Sequence, residues 1–208
     1  ANGGGLRFGA QHSQAVENWA MMIPGLKIAA PSNSADVVSM LAASIRDNDP
    51  VMFFESKSLY PVKSEVPDGE LISEIGKASV IRQGTDTTIV ALASMVPRAQ
   101  QAADLLQTVH GINAEVIDLR WLVPLDVTTV ANSVAKTGHL FTVEENPRLC
   151  GWGAEVVSIV AEECFMDLDG PPTRITTPHI PLPAADALED ATLPSVQRIV
   201  DEVLKVLK

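Results

Sequence analysis

Apolar positions recur along this chain with two periods, and the switches between them mark out its elements. From Gln14 to Met22 the apolar residues Val16, Trp19 and Ala20, continued by Ile23, fall on one helical face, and Pro24-Gly25 ends the run. Leu26-Lys27-Ile28-Ala29-Ala30 then reads as a short buried strand. Ser34 stands as the N-cap of a helix over Ala35–Arg46. Asp47-Asn48-Asp49-Pro50 breaks that helix, and Val51-Met52-Phe53-Phe54-Glu55 is a second strand, so the segment predicts a strand–helix–strand unit.

Between about Ser56 and Ile75 the periodicity disappears into prolines, Asp68-Gly69 and mixed charge, as expected of an inter-domain linker. Alternation resumes with strands at Ala78–Arg82 and Thr87–Ala93, separated by the turn Gln83-Gly84-Thr85-Asp86. Pro97 suits the first turn of a helix over Arg98–Val109, and Gly111 ends it. Strands at Ala114–Leu119, Leu140–Glu144 and Thr173–Thr176 alternate with helices at Val127–Ala135 and Gly153–Phe165. A Pro-rich stretch from Pro178 to Pro183 leads to a last amphipathic helix over Ser195–Leu207. The alternation predicts an α/β fold of two units with mostly parallel sheets, the first truncated at its start.

Composition narrows the function classes. The chain of 208 residues is 46% hydrophobic but only 4% aromatic, so the core is built of Val, Ile, Leu and Ala, which suits buried parallel strands. A net charge of −11 argues against a nucleic-acid surface and against attraction to anionic membranes. No apolar run is long enough to span a bilayer. Cys150 and Cys164 match no zinc or redox spacing and read as reduced thiols. The opening Ala1-Asn2-Gly3, without an initiator Met, reads as part of a longer or processed protein.

The first candidate chemistry is the run Gly3-Gly4-Gly5-Leu6-Arg7-Phe8-Gly9-Ala10-Gln11-His12, in which glycines deliver a histidine to the start of the first helix. Glycine lets backbone approach a ligand closely, and histidine exchanges protons near neutral pH. Gln11, Ser13 and Gln14 are placed to orient the imidazole, although Ser13 equally serves as a helix cap and the glycines as a plain loop. Glu144-Glu145 read as hydrogen-bonded carboxylates at a strand end, Arg46 and Glu55 as structural pairs, and His110, His139 and His179 as surface or loop residues. Trp121 and Trp152 are expected to anchor subunit packing.

An ordered series of segments carries a family likeness. Gln11-His12-Ser13-Gln14, Pro24-Gly25-Leu26-Lys27, Ile45-Arg46-Asp47-Asn48-Asp49-Pro50, Asp118-Leu119-Arg120 with Pro124-Leu125-Asp126, Lys136-Thr137-Gly138, Glu144-Glu145 and Leu188-Glu189-Asp190 run through the whole chain. Together they resemble the E1 β subunits of thiamine-diphosphate-dependent 2-oxoacid dehydrogenases, pyruvate dehydrogenase above all, with acetoin and branched-chain relatives sharing most of the pattern. The resemblance implies a partial pyrimidine-binding domain over residues 1–65, a linker over 66–77 and a transketolase C-terminal-like domain over 78–208. It implies an oxidoreductase that decarboxylates a 2-oxoacid and transfers the acyl group to lipoyl-E2, with His12 lining the active-site channel. Thiamine diphosphate and its magnesium would be held mostly by a preceding region and the α subunit. A structural potassium ion would sit at Ser44, Ile45, Asp47 and Asp49, largely on main-chain oxygens. The implied partners are the E1 α subunit, a second β subunit, the lipoyl domain and the subunit-binding domain of E2, the last docking near Asp169. The compartment would be the cytoplasm in a bacterium, and the mitochondrial matrix or plastid in a eukaryote. As an isolated segment the chain would serve as an oligomerisation and E2-docking module, inactive by itself.

Overall fold

The computed structural model describes residues 1–207. In chain order its regular elements are α1 (Gly9–His12), β1 (Lys27–Ala29), α2 (Ser34–Arg46), β2 (Val51–Phe53), β3 (Ser79–Arg82), β4 (Thr87–Ala91) and α3 (Met95–His110). They continue with β5 (Ala114–Asp118), β6 (Trp121–Val123), α4 (Val127–Thr137), β7 (Leu140–Pro147), α5 (Trp152–Glu163), β8 (Thr173–Thr177), α6 (Asp186–Thr192) and α7 (Val196–Val206). No helix among the described residues is long and apolar enough to cross a membrane.

The strands form two sheets, and the fold class is the α/β class that the alternation predicts. The larger sheet has the order β3-β5-β4-β7-β8, parallel throughout except for the antiparallel β3–β5 pair. Its strands are apolar on both sides because both faces are covered. Ile89 and Ala91 of β4 point with Val116, Phe141 and Ile175 toward α3 and α7, meeting Met95, Ala99, Leu106, Ile199 and Val203. Val90, Ile117 and Leu140 point the other way, into Val130, Val134, Trp152, Val156 and Val160 of α4 and α5. Gly111 and Gly138 end α3 and α4 with φ near +70°, a conformation a side chain resists.

The smaller sheet, β2-β1-β6, pairs β1 parallel with β2 and antiparallel with β6. Strand β6 is invisible to periodicity, being three residues long, and it draws the second stretch of the chain onto the first. Trp121, at its start, is fully buried against Ala29 and Met40, and Trp152 packs in the α4–α5 core. Neither anchors a subunit surface in this chain: both expected interface tryptophans are core residues, because β6 and α5 lie beneath the neighbouring elements.

Other departures have local causes. β3 and β4 flank a turn but do not pair, since β5 lies between them. Asn33, not Ser34, caps α2, its side chain accepting from the Asp36 amide at 2.9 Å. No continuous helix spans residues 14–22. A single 3₁₀ turn at Glu17–Ala20 takes its place, because the Asn2 side chain accepts the Val16 amide at 2.9 Å and draws Glu17 inward.

Candidate active site

The glycine run is an ordered loop wrapped around carboxylates of its own chain. Asn2 begins it as an extended residue bridged to Ser56, donating to the Glu55 carbonyl at 2.8 Å while its own carbonyl accepts from the Lys57 amide at 3.0 Å. Beyond it Gly3, Gly5, Arg7 and Gly9 have φ of 81°, 89°, 66° and 67°, with residues of negative φ between them. Such alternation turns successive N–H groups toward one side and makes an anion-binding nest. The anions are Glu145 of β7, which accepts from the Gly4 amide, and Glu189 of α6, which accepts from the Gly5 and Arg7 amides at 3.0 and 3.1 Å. A Cβ on Gly4 would stand 3.1 Å from the Glu189 carboxylate and 3.2 Å from that of Glu145. The Arg7 guanidinium closes the ring on Glu189 at 2.7 Å and reaches Asp190 at 2.8 Å and Asp186 at 3.2 Å.

His12 ends α1, the four-residue helix that follows the nest, instead of starting a helix. Its imidazole is exposed, and its carbonyl accepts from Lys57 Nζ, which also lies 5.6 Å from the centre of the Phe8 ring. Ser13 follows as the C-cap, buried, with its hydroxyl unpartnered among the described residues, so it caps no following helix. Gln14 turns back, its carbonyl accepting from Gly3 at 3.2 Å and its amide donating to Ala10 at 3.4 Å; neither its side chain nor that of Ser13 is hydrogen-bonded to the imidazole.

Beneath the loop lies a seam of buried acids. Glu144 takes a salt bridge from Arg174 at 2.7 Å and the Gly153 amide at 2.9 Å; burial pushes its carboxyl up. Glu145 also accepts from Ser94 at 2.5 Å. Glu17 has only the Asn2 amide as a neutral side-chain partner, at 2.5 Å. Burial first, then the charges of Glu145 and Glu144, push its carboxyl up to about 7. A second raised acid, Asp118, ends β5, bonded to Ser32 at 2.5 Å, its carboxyl pushed up to about 7 by burial. Arg120 beside it pairs with Asp36 at 2.6 Å.

Two pockets adjoin the loop's exit. One of 500 Å³ is lined by Gln14, Asn18, Trp19, Cys150, His179 and Ile180. The other, 680 Å³, continues past Trp19 to Met22, Leu125, Trp152 and Glu155. His12 lies outside both. Trp19 is 73% and Met22 82% exposed, so the apolar face expected of a buried helix is open in this chain.

The remaining candidates are apart from this centre. Ser44 and Ile45 lie in the last turn of α2, which ends at Arg46, so their carbonyls have no partner further along the helix. Such oxygens fit a hard monovalent cation. The Asp47 and Asp49 carboxylates, however, are committed to Lys27 Nζ at 2.6 and 3.0 Å, and the ammonium holds Asp47 below the usual carboxylate range. Asp169 is exposed in the turn after residues 165–167, its amide donating to the Gly138 carbonyl at 2.8 Å. Periodicity gave no hint of α6, nor that Glu145 and Glu189 serve one loop. The available signal was chemical: two carboxylates, Glu144 and Glu145, following directly on apolar strand positions have to find donors.

Comparison with known proteins adds relatives to this geometry. The transketolase C-terminal domain matches residues 76–199 and the transketolase pyrimidine-binding domain residues 1–63. The β subunit of acetoin:2,6-dichlorophenolindophenol oxidoreductase from Bacillus subtilis is 43% identical over 99% of this chain and 60% of its own length. The mitochondrial pyruvate dehydrogenase E1 component subunit beta-2 of Oryza sativa is 45% identical over 96% and 54%. The chain thus spans little more than half the length of these relatives. Among solved structures, a split-gene transketolase described as an inactive β4 tetramer superposes over all of this chain and 65% of its own, with a TM-score of 0.79 at 25% identity. A transketolase from Pichia stipitis shares the fold at a TM-score of 0.70 and 14% identity, over 29% of its length. The chain belongs to the transketolase family, in the branch of the pyruvate dehydrogenase E1 and acetoin oxidoreductase β subunits.

Proposed function

We propose that this chain forms part of a 2-oxoacid dehydrogenase E1 β subunit, in which His12 serves acyl transfer to a lipoyl group. The observation that carries this reading is the loop itself: an ordered backbone cradle that ends in an exposed histidine, in a chain 45% identical to a pyruvate dehydrogenase E1 β subunit and 43% identical to an acetoin oxidoreductase β subunit. Thiamine diphosphate would supply the electron sink for decarboxylation, but the residues here do not fit its diphosphate. The glycine amides that would cradle phosphate already hold Glu145 and Glu189. No group of three potential metal ligands among His, Cys, Asp and Glu is present among the described residues to hold magnesium. The chain's part is therefore a wall of the channel, with the cofactor seat on a preceding region and on the α subunit.

At that wall an imidazole donates a hydrogen bond to the substrate carboxylate, or passes a proton to the lipoyl sulfur as the acyl group moves. The substrate is a 2-oxoacid, pyruvate first, with acetoin as the variant that the acetoin oxidoreductase relatives support and a branched-chain 2-oxoacid as the further alternative. The E1 α subunit and a second β copy are the neighbours in this reading, and E2 with its lipoyl domain the acceptor. His12→Ala in the assembled enzyme is expected to lower acyl transfer to lipoamide by about 100-fold while leaving assembly intact. Near-normal transfer would overturn the assignment.

A further inference from the structure

A four-residue helix does not hold itself. α1 has no side-chain cap at Phe8 and buries none of its residues, so something outside the helix must fix the direction in which His12 faces. Two tethers act at its far end: the bond from Lys57 to the His12 carbonyl, and the Gly3–Gln14 backbone bond that closes the loop. The remaining hold is on the near side. There three successive bonding amides, Gly4, Gly5 and Arg7, point into two carboxylates from different elements of the larger unit. Glu189 has no exposed side-chain surface, and it receives both a backbone fork and the Arg7 guanidinium. Glu145 is fixed from behind by Ser94. Gly3 and Gly4 leave no room for a Cβ against these oxygens without displacing them by some tenths of an ångström.

We propose that Glu145 and Glu189 are positioning residues for His12. They are internal anions that occupy the Gly3–Arg7 nest and so set where the imidazole stands, although neither touches it. The latch is a matter of geometry in this chain. Its effect on turnover rests on the proposed role of His12.

The decisive experiment uses the full-length chain assembled with its partner subunit and carrying Glu189→Gln. The amide nitrogen of glutamine then meets donors of Arg7 where an oxygen stood. Hydrogen exchange at the Gly4, Gly5 and Arg7 amides is expected to quicken by about tenfold or more, while β4, β5 and β7 keep their protection. Acyl transfer to lipoamide is expected to fall by about 100-fold, the penalty of misplacing a reacting group by about 1 Å. Added to His12→Ala, the change should cost nothing further, because both act through one imidazole. A general loss of stability would not produce that non-additivity. Unchanged loop exchange, or losses that multiply in the double variant, would overturn the proposal. If His12→Ala alone leaves transfer intact, the functional reading fails while loop exchange still decides the latch. Should Glu189→Gln not fold, Glu145→Gln alters the other anion in the nest, the one that accepts from the Gly4 amide. Quickened exchange at Gly4 in that variant supports the latch, and unchanged exchange overturns it.

Discussion

The five-stranded unit and the region before it bury their side chains by different means. In the larger unit Ile89, Val116, Phe141 and Val143 are sealed between β-strands and α3, while α4 and α5 close the other face. In the first region the sheet has three strands, one of them lent by β6. The loop before it is held by polar bonds to Glu145 and Glu189, and Trp19, Met22 and Ile45 stand more than 70% exposed. One region is complete in itself. The other is fastened by hydrogen bonds and ion pairs; large apolar side chains stand outside in both, Trp19 and Met22 in this region and Phe165 and Met166 in the larger unit.

The sharpest break of this contrast is in the larger core. Phe141→Ala should cost about 3–5 kcal/mol in denaturant unfolding and melt the chain as a whole. A loss below about 1 kcal/mol would mean that the five-stranded sheet is not the stabilising unit.

Next comes the polar seam, where pH is the probe. Glu17 has its carboxyl at about 7 in the folded chain against an ordinary value of 4.5. Between those values the folded state holds a proton that the unfolded state releases, so this stability is complete below pH 4.5 and is lost as pH rises through 7. The loss amounts to about 3 kcal/mol across that window. Glu17→Gln should remove it, leaving the slope of the same sign that comes from Asp118, raised from 3.8 to about 7. Melting scans from pH 4 to 8 decide the matter, and an unaltered slope in the variant would refute the assignment.

The smallest effect on stability is expected at the open face. Trp19→Ser should change the stability of the chain alone by no more than about 0.5 kcal/mol, yet weaken its assembly with partner subunits in sedimentation. Undiminished assembly would show that the exposed face is idle.

Much of the larger unit is legible in the sequence, since α3, α4, α5 and α7 and the strands they cover follow strong apolar periods ended by Gly111 and Gly138. The short elements are not. β6 and α6 are too brief for a period to show, and the face of Val16, Trp19, Ala20 and Ile23 mimics a helix that the pull of Asn2 on residues 16–17 prevents. Of the candidate site, the residues were readable and their roles were not. Gly3–Gly5 reads in sequence as backbone open to a close ligand or as a plain loop, and only tertiary structure shows that it closes on the chain's own glutamates, supplied from more than a hundred positions away.

The loan of β6 also bears on the order of synthesis. A ribosome delivers β1 and β2 long before Trp121–Val123 emerges, so the edge of β1 that β6 covers stays unpaired through the making of α3 and β5. During that interval the first region is a nascent chain with an open strand edge, the kind of surface that chaperones guard and neighbouring chains invade. Closure of that edge of β1 thus waits on the segment that carries β6.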